Sequence, residues 1–535
     1  MIIVNYNINY FKMRVKIILL VLIAGCVFNG FSQNAPDIEW EKNFGGTLWD
    51  EPECIEQTSD GGHIAAGITY SIDLDVTGNH GLIDVWVVKL DATGNLLWQS
   101  ALGGSEYEGA HSIKETSDGG FILVGYSTSI DGQVTNNHGA NDIWLVKLDG
   151  QGNLLWQRSL GGSYEDIGMS IVELSSTDIV VAAMSSSLDG DVTGNHGFAD
   201  FWIIKLDATG NIIWENSFGG SLTDRPYCII EVNNGDLVIT GSTKSNDGDV
   251  SGNHGDHDVW LIKIDDSGNL IWQKTFGGSD QDVGISIDGT ADGGCVIAGH
   301  TSSNDGDVTG NYGYSDIWVI KLDTIGNMEW QKNYGGSITD IAKSIQQTDD
   351  GGYIVAGGTN SSDGDVTNLQ GIWDYWILKL DSIGDLIWQK TFGGSQGDIG
   401  SSVIETVDNG FVVAGYSYSS DGDVLSNNGQ TDFWIIKLSF TVGIEEQYVG
   451  ELSIMQNPAF ESTQISIELL PDLRLNGPIE LSLISTDGRL VHSEQLKAQY
   501  SFTHTIQLSG LSPGLYFVHL RDRNRWLGSE KLVVE

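Results

Sequence analysis

The sequence predicts an all-β protein, in which a seven-bladed β-propeller is followed by a small β-sandwich. The first observation is a repeat: the pair Gly45-Gly46 returns every 58 residues without insertion or deletion, at 103, 161, 219, 277, 335 and 393. A fixed period of this kind is typical of solenoids, propellers and arrays. The second is that each copy contains four short β-patterned segments and no sustained helical period. The third is that the last copy lacks its fourth segment.

The second copy shows the four predicted strands. Residues 112–115 and 121–126 flank an Asp-Gly-Gly turn and form a hairpin. A long loop leads to the third strand, 142–148, and a Gly-containing turn leads to the fourth, 154–157. Four antiparallel strands in each of seven copies predict the blades of a propeller that spans 36–440.

The ends of the repeat region predict how the ring closes. Copy seven ends with its third strand at 434–438, and the missing fourth strand stands at 38–44, in register with its equivalents in the other copies. The N-terminal strand is therefore predicted to complete the last blade, which leaves no long exposed sheet edge.

Two tryptophans and one lysine recur in every copy. Because side chains alternate along a strand, the tryptophan and the lysine of the third strand lie on opposite faces. Rings of tryptophan could stack sugars or bases, but packing between blades explains seven identical rings better, and the lysines are expected to pair with carboxylates between blades. The tryptophans of the third strands are Trp86, Trp144, Trp202, Trp260, Trp318, Trp376 and Trp434. Those of the fourth strands are Trp40, Trp98, Trp156, Trp214, Trp272, Trp330 and Trp388. The lysines are Lys89, Lys147, Lys205, Lys263, Lys321, Lys379 and Lys437.

The loop between the second and third strands is rich in Asp and Gly. In copies one, three, four and five, oxygen-bearing side chains stand at positions 1, 3, 5 and 12 with Gly at position 6, the spacing of a twelve-residue calcium loop. The alternative is a Gly-rich turn whose carboxylates cap backbone N–H groups. The predicted ligands of weakly bound Ca²⁺ are Asp73, Asp75, Thr77, Asp84, Asp189, Asp191, Thr193, Asp200, Asp247, Asp249, Ser251, Asp258, Asp305, Asp307, Thr309 and Asp316.

A second series of acidic residues begins the first strand of each copy. These residues could hold a cation or a basic ligand near the channel mouth, but capping of the connection after Gly-Gly-Ser is the favoured interpretation. No Ser/His/Asp set, phosphate loop or Cys/His cluster with ligand spacing is present in the sequence, so no catalytic residue, no organic cofactor and no enzyme is predicted. The series is Asp50, Glu108, Asp166, Asp224, Asp282, Asp340 and Asp398.

The charge balance narrows the class of partner. The chain has 26 Lys and Arg against 72 Asp and Glu, a net charge of −46. Such a field repels nucleic acid and anionic membrane surfaces and favours cations or basic partners. The cysteines do not form a disulfide framework.

The N-terminus predicts export. Basic residues precede a short apolar run, 17–27, which is too short to span a bilayer, so 1–32 is predicted to be a signal peptide and no transmembrane span is expected. The residues before Cys26 also fit a lipoprotein signal, which leaves the processing step open.

The C-terminal region differs in pattern from the repeats. After a predicted linker, 441–450, residues 451–535 contain β-patterned segments of a small immunoglobulin-like sandwich. Motifs at Gln456-Asn-Pro-Ala459, Asp487-Gly-Arg489, 508–516 and 531–534 resemble the type A sorting domain of the type IX secretion system of Bacteroidetes. The resemblance implies passage through the outer membrane with that machinery as partner, then removal of the domain and either release or attachment to the surface.

The repeat copies resemble Bacteroidetes propeller repeats of the pattern Gly-Gly-Ser, Asp-Gly-Gly and Asp-x-Trp-x-x-Lys-Leu-Asp, a resemblance that carries no activity. The sequence therefore predicts a secreted or cell-surface binding module for a glycan or a protein, stabilised by calcium. The alternative is an extracellular glycan-active enzyme with its site at the mouth of the propeller channel.

Overall fold

The computed structural model divides the chain into two compact units, residues 1–439 and 440–535. The predicted signal peptide and most of the predicted linker lie outside the described residues. The structure describes residues 35–439 except 233–234, and then 450–454, 457, 459, 462–469, 478–485, 490–497, 499, 501–522 and 525–534.

The described part of the first unit consists of four-stranded antiparallel sheets joined by turns and loops. The sheets are β2 (Asp50–Gln57) to β5 (Leu96–Leu102), with β3 (His63–Thr69) and β4 (Asp84–Leu90); β6 (Glu108–Glu115), β7 (Phe121–Ser127), β8 (Asp142–Leu148) and β9 (Leu154–Leu160); β10 (Asp166–Glu173), β11 (Ile179–Ser185), β12 (Asp200–Leu206) and β13 (Ile212–Phe218); β14 (Asp224–Glu231), β15 (Leu237–Thr243), β16 (Asp258–Ile264) and β17 (Leu270–Phe276); β18 (Asp282–Gly289), β19 (Cys295–Thr301), β20 (Asp316–Leu322) and β21 (Met328–Tyr334); β22 (Asp340–Gln347), β23 (Tyr353–Thr359), β24 (Asp374–Leu380) and β25 (Leu386–Phe392); and β26 (Asp398–Glu405), β27 (Phe411–Ser417) and β28 (Asp432–Ser439) with β1 (Asp37–Phe44).

The N-terminal strand joins the last sheet, as predicted. β1 pairs antiparallel with β28, with Phe44 opposite Phe433. The order of that sheet is β1-β28-β27-β26, so a strand from the start of the chain takes the place that the fourth strand holds in the other sheets.

The first strand of each sheet is longer than its sequence pattern predicts. β6 begins at Glu108 rather than at Ser112, because a β-bulge between Ala110 and Ser112 interrupts the alternation on which the prediction depended. A bulge inserts one extra residue and moves the following side chains to the other face. The same shift occurs in the first strands β2, β10, β14, β18, β22 and β26.

Both sets of tryptophans pack between neighbouring sheets, which confirms the packing interpretation. The third-strand tryptophans are fully buried, and the Trp86 ring lies 4.6 Å from that of Phe433 in the last sheet. The fourth-strand rings are mostly half-buried and cover a glycine of the next sheet. A Cβ atom added to Gly152, which has φ +82°, would lie 2.6 Å from the ring of Trp98.

The recurring lysines pair with carboxylates, but mostly inside one sheet rather than between blades as predicted. Lys89 Nζ lies 3.0 Å from Asp60, which stands in the turn between the first two strands of the same sheet. The turn carboxylate is close because the third strand ends beside that hairpin. Lys205 also reaches a neighbouring sheet, where Asp266 lies 2.5 Å away.

The second unit contains two antiparallel sheets that share one apolar core, as expected for a sandwich. Buried Ile465 and Ile467 of one sheet belong to the same cluster as Leu481 and Val518 of the other. The predicted turn at 486–489 lies outside the described residues. The sheets are β29 (Gly450–Ile454), β30 (Ser462–Leu469) and β33 (Ser501–Gln507), and β31 (Ile479–Ser485), β32 (Leu490–Leu496), β34 (Gly514–Asp522) and β35 (Arg525–Val534).

Candidate functional site

The predicted site residues lie along one edge of the sheets, which we call the loop edge. It is the edge where the first and third strands begin, and in the first sheet it carries loops 45–49 and 70–83. Short parallel bridges join the loop edges of neighbouring sheets, for example Ile83 to Tyr107 and Trp49 to Thr431.

The acidic residue that begins each first strand caps the loop edge, which confirms the capping interpretation. Asp50 is fully buried and accepts hydrogen bonds from the N–H of Gly46 at 2.7 Å and from Ser71 Oγ at 2.8 Å. The Thr69 hydroxyl also donates to it. Glu108 likewise accepts hydrogen bonds from the N–H of Gly104, the Ser127 hydroxyl and the N–H of Ser129. These carboxylates hold the Gly-Gly connection in place and are not available to a ligand.

The first two predicted calcium ligands of each loop bind backbone N–H groups of the Gly-Gly connection. Asp73 Oδ1 accepts the N–H of Thr47 at 2.9 Å, and Asp75 Oδ2 accepts that of Gly45 at 3.3 Å. The corresponding pairs are Asp189 with Ser163, Asp191 with Gly161, Asp247 with Ser221, Asp249 with Gly219, Asp305 with Ser279, and Asp307 with Gly277.

The other two predicted ligands contact other groups. Thr77 Oγ1 accepts from the Gln99 amide, and Asp84 Oδ2 accepts the N–H of His80 at 2.9 Å and lies 2.7 Å from its Nδ1. The equivalents are Thr193 with Glu215, Asp200 with His196, Ser251 with Gln273, Asp258 with His254, Thr309 with Gln331, and Asp316 with the N–H of Tyr312.

The four predicted ligands of a loop thus bond to four different partners. Within the described ranges, no group of three or more His, Cys, Asp or Glu side chains is arranged to hold a metal ion. Calcium binding by the loops stays a prediction.

An aspartate at position 12 of the loop begins each third strand, and except for Asp374 it combines full burial with an unpartnered oxygen. Asp316 Oδ2 accepts the N–H of Tyr312 at 2.6 Å, while Oδ1 is buried without a hydrogen-bond partner. A Cβ atom on Gly335 would lie 2.5 Å from Asp316 Oδ1 and 2.8 Å from Asp340 Oδ2, so two carboxylates of neighbouring sheets face each other across this glycine. The same unpartnered oxygen belongs to Asp84, Asp142, Asp200, Asp258, Asp316 and Asp432.

Burial and neighbouring negative charges raise the pKa of the position-12 carboxyl groups. Burial, with the charges of Asp340 and Asp365, raises the pKa of Asp316 to about 6 despite the hydrogen bond from Tyr312. Burial and the charges of neighbouring aspartates likewise raise the pKa of Asp432 to about 7. The recurring Asp-x-Trp pattern marks these residues in the sequence, but it gives no sign of the second carboxylate from the next sheet.

The first strands carry residues that break the repeat. The second residue of the first strand differs from sheet to sheet. The fourth residue differs as well, and is Tyr227 in β14 and Glu53 in β2. No recurring pattern marks these residues in the sequence, so they could not be predicted from the repeat. The residues at the second position are Glu51, Gly109, Ile167, Arg225, Val283, Ile341 and Ile399.

One of these irregular strands lines a pocket of about 420 Å³ at the loop edge. Arg225 and Tyr227 of β14 contribute to it, together with loop residues of the sheets on either side. Phe198 and His257, which precede the third strands β12 and β16, also line it. The pocket is therefore lined in part by side chains, such as Arg225 and His257, that do not recur at the equivalent positions of the neighbouring sheets.

Comparison with known proteins defines the class of the chain through its second unit. Residues 454–535 match the family model of the secretion system C-terminal sorting domain. The chain therefore carries a sorting domain of the type IX secretion system and is delivered to the cell surface or the extracellular space. Within the described residues, no helix is long and apolar enough to cross a membrane.

A curated relative matches part of the chain. A stretch of 211 residues, 36% of this chain, is 28% identical to the regulatory protein FlaEY of Caulobacter vibrioides. The match spans 22% of the length of that protein.

Proposed function

We propose that the repeat unit is a closed seven-bladed propeller that acts outside the cell as a glycan-binding module, with a protein surface as the alternative ligand. Contacts between the last and first sheets support closure. The N–H of Asp50 donates to the carbonyl of Thr431 at 2.9 Å, and the equivalent bond between adjacent sheets, from Asp166 to Asn141, measures 2.7 Å. The first and last sheets also share one apolar cluster.

The observation that carries the binding role is a set of large exposed apolar side chains on the loop edge. Tyr314 is 76% exposed, Phe198 71% and Tyr164 60%, although buried carboxylates fix the loops that present them. Exposed aliphatic side chains such as Ile325 also occur at the opposite edge, but the loop edge presents aromatic rings, which suit the apolar faces of sugars. A rigid edge with such rings favours binding of an extended extracellular ligand.

Burial argues against glycan cleavage by the acids with raised pKa. Glycoside hydrolysis requires two carboxyl groups on either side of the scissile bond. Asp200 and Asp316 have pKa values raised to about 6 by burial, but both side chains are fully buried and no sugar can reach them. We therefore favour binding without turnover.

A glycan array tests this proposal, with the full chain applied with and without calcium. We expect binding to at least one glycan class and no release of smaller sugars during prolonged incubation. Tyr314→Ser should weaken binding. Ile325→Ser is the matched control, because Ile325 is 63% exposed but lies in the turn at the opposite end of β20.

Three outcomes would contradict the proposal. Release of shorter glycans would favour the glycan-active enzyme, and failure to bind any glycan would leave the protein-ligand alternative. Equal loss of binding in the Tyr314 and Ile325 variants would remove the loop edge as the binding surface.

A further inference from the structure

The pocket beside β14 has the composition of a site for an acidic sugar. We infer that it binds a uronate unit of a polysaccharide, with the carboxylate on Arg225, an assignment that rests on the proposed glycan-binding function. Its volume of about 420 Å³ lies within the range of small-molecule sites. One sugar unit with its linkages fits a space of this size.

Arg225 supplies the specific anchor. It is the second residue of β14, directly after the fully buried Asp224, so the start of the strand is fixed. The Arg225 Nε atom is buried and has no hydrogen-bond partner among the described residues. Because the buried Nε atom is shielded from a ligand, contact with a carboxylate is left to the terminal nitrogens of the planar guanidinium, which suit two parallel hydrogen bonds. The Arg225 side chain is therefore suited to bind an anionic group of a ligand in the pocket.

The remaining lining matches the rest of a sugar ring. Tyr227 follows Arg225 on the same strand, and Phe198 stands 71% exposed at the pocket, so rings are available for the apolar face of a sugar. Glu165 and Gln281 offer acceptors and donors for hydroxyl groups. Burial lowers the pKa of His257, which keeps its imidazole neutral at pH 7 and suited to hydroxyl hydrogen bonds.

This combination occurs at one junction of the repeat. The six residues equivalent to Arg225 are Glu51, Gly109, Ile167, Val283, Ile341 and Ile399, and none of them is basic. The residue equivalent to His257 is Ala199 in the preceding copy and Ser315 in the following copy. Among the described residues of the repeat unit, this combination therefore forms one such site.

The net charge of −46 opposes a polyanion at long range. Screening limits this effect, because the Debye length is about 8 Å at physiological ionic strength. A guanidinium in direct contact with a carboxylate acts well inside that distance. We expect recognition to depend on the local contact and not on overall attraction.

Isothermal titration calorimetry of the full chain tests the inference with a galacturonate trimer and, for comparison, a neutral galactose trimer. The wild type should bind the uronate trimer more tightly than the neutral one. Arg225→Gln should weaken uronate binding about tenfold or more, since it removes the charge-assisted pair. Arg158→Gln is the control, because Arg158 donates to the carbonyls of Thr209 and Gly210 and does not line the pocket.

Arg225→Lys separates a binding effect from a folding effect. It keeps the positive charge but lacks the planar fork, and should lose part of the affinity while its melting temperature stays near that of the wild type. Equal affinity of wild type and Arg225→Gln for the uronate trimer, or equal wild-type affinity for both trimers, would overturn the assignment and leave the glycan-binding proposal standing. If the wild type binds neither trimer and no glycan on the array, the proposed function itself fails.

Discussion

Replacement of Asp316 by Asn should stabilise the folded protein at alkaline pH. The Asp316 carboxyl is fully buried, its Oδ1 atom has no partner, and it faces Asp340 across Gly335. An asparagine oxygen can still accept the N–H of Tyr312, and its amide can donate towards Asp340. The substitution therefore removes a buried charge and retains the hydrogen bond.

The magnitude follows from the pKa of Asp316, which rises from the ordinary value of 3.8 to about 6 in the folded state. Each pKa unit corresponds to about 1.4 kcal/mol, so the ionised carboxyl costs the folded state at most about 3 kcal/mol. The cost is complete above pH 6, shrinks as the pH falls from about 6 to 3.8, and disappears below 3.8, because both states are then protonated.

Urea unfolding followed by tryptophan fluorescence measures this difference at pH 8 and at pH 3.5, first in EDTA and then with millimolar calcium. Asp316→Asn should exceed the wild type in free energy of unfolding at pH 8 and equal it at pH 3.5. Asp432→Asn is the matched control: its pKa is about 7, and its loop has Leu425 in place of the oxygen at position 5. It should gain stability with or without calcium.

Calcium binding would separate the two variants. If Asp316 is a calcium ligand, its asparagine variant loses the part of the calcium stabilisation that comes from its own loop, whereas the Asp432 variant retains all of it. If Asp316→Asn is less stable than the wild type at pH 8 in EDTA, or changes stability equally at both pH values, the buried charge of Asp316 does not destabilise the folded protein as predicted.

Three further predictions follow from the packing and the loops. Trp202→Ala should lower the free energy of unfolding by about 3–5 kcal/mol, and Trp214→Ala by less, because Trp202 is fully buried and Trp214 is not; urea unfolding measures both, and equal losses would contradict the packing account. Deletion of 37–44 should expose the edge of β28 and cause association in sedimentation experiments, whereas a monomer of unchanged stability would argue against closure. Calorimetric titration with Ca²⁺ tests the predicted calcium loops. The absence of both binding heat and a thermal shift at millimolar Ca²⁺ would contradict that prediction.

The sequence predicted the recurring parts of the molecule well for a physical reason. A buried strand with alternating side chains leaves a clear pattern, so the strand that ends with Phe44 and the tryptophan rings could be placed before the structure was known. The β-bulge after Ala110 breaks the alternation, and half of each first strand was missed. The partner of Lys89 was also misplaced, because pairing across a hairpin turn depends on where the third strand ends.

The candidate site could not be predicted from the repeat, because its residues do not recur. Arg225 occurs once among seven equivalent positions, so its position shows no pattern, and only the fold brings it beside Phe198 and His257. The facing of Asp316 and Asp340 likewise depends on contact between neighbouring sheets. The recurring residues therefore define the scaffold, and the irregular ones define the pocket.

The number of ligand molecules bound per chain distinguishes one irregular pocket on a repetitive scaffold from binding by the recurring loops. Isothermal titration calorimetry of the full chain with the galacturonate trimer should give one bound trimer per chain. About seven bound trimers per chain would show that the recurring loops form the binding sites and would contradict the account.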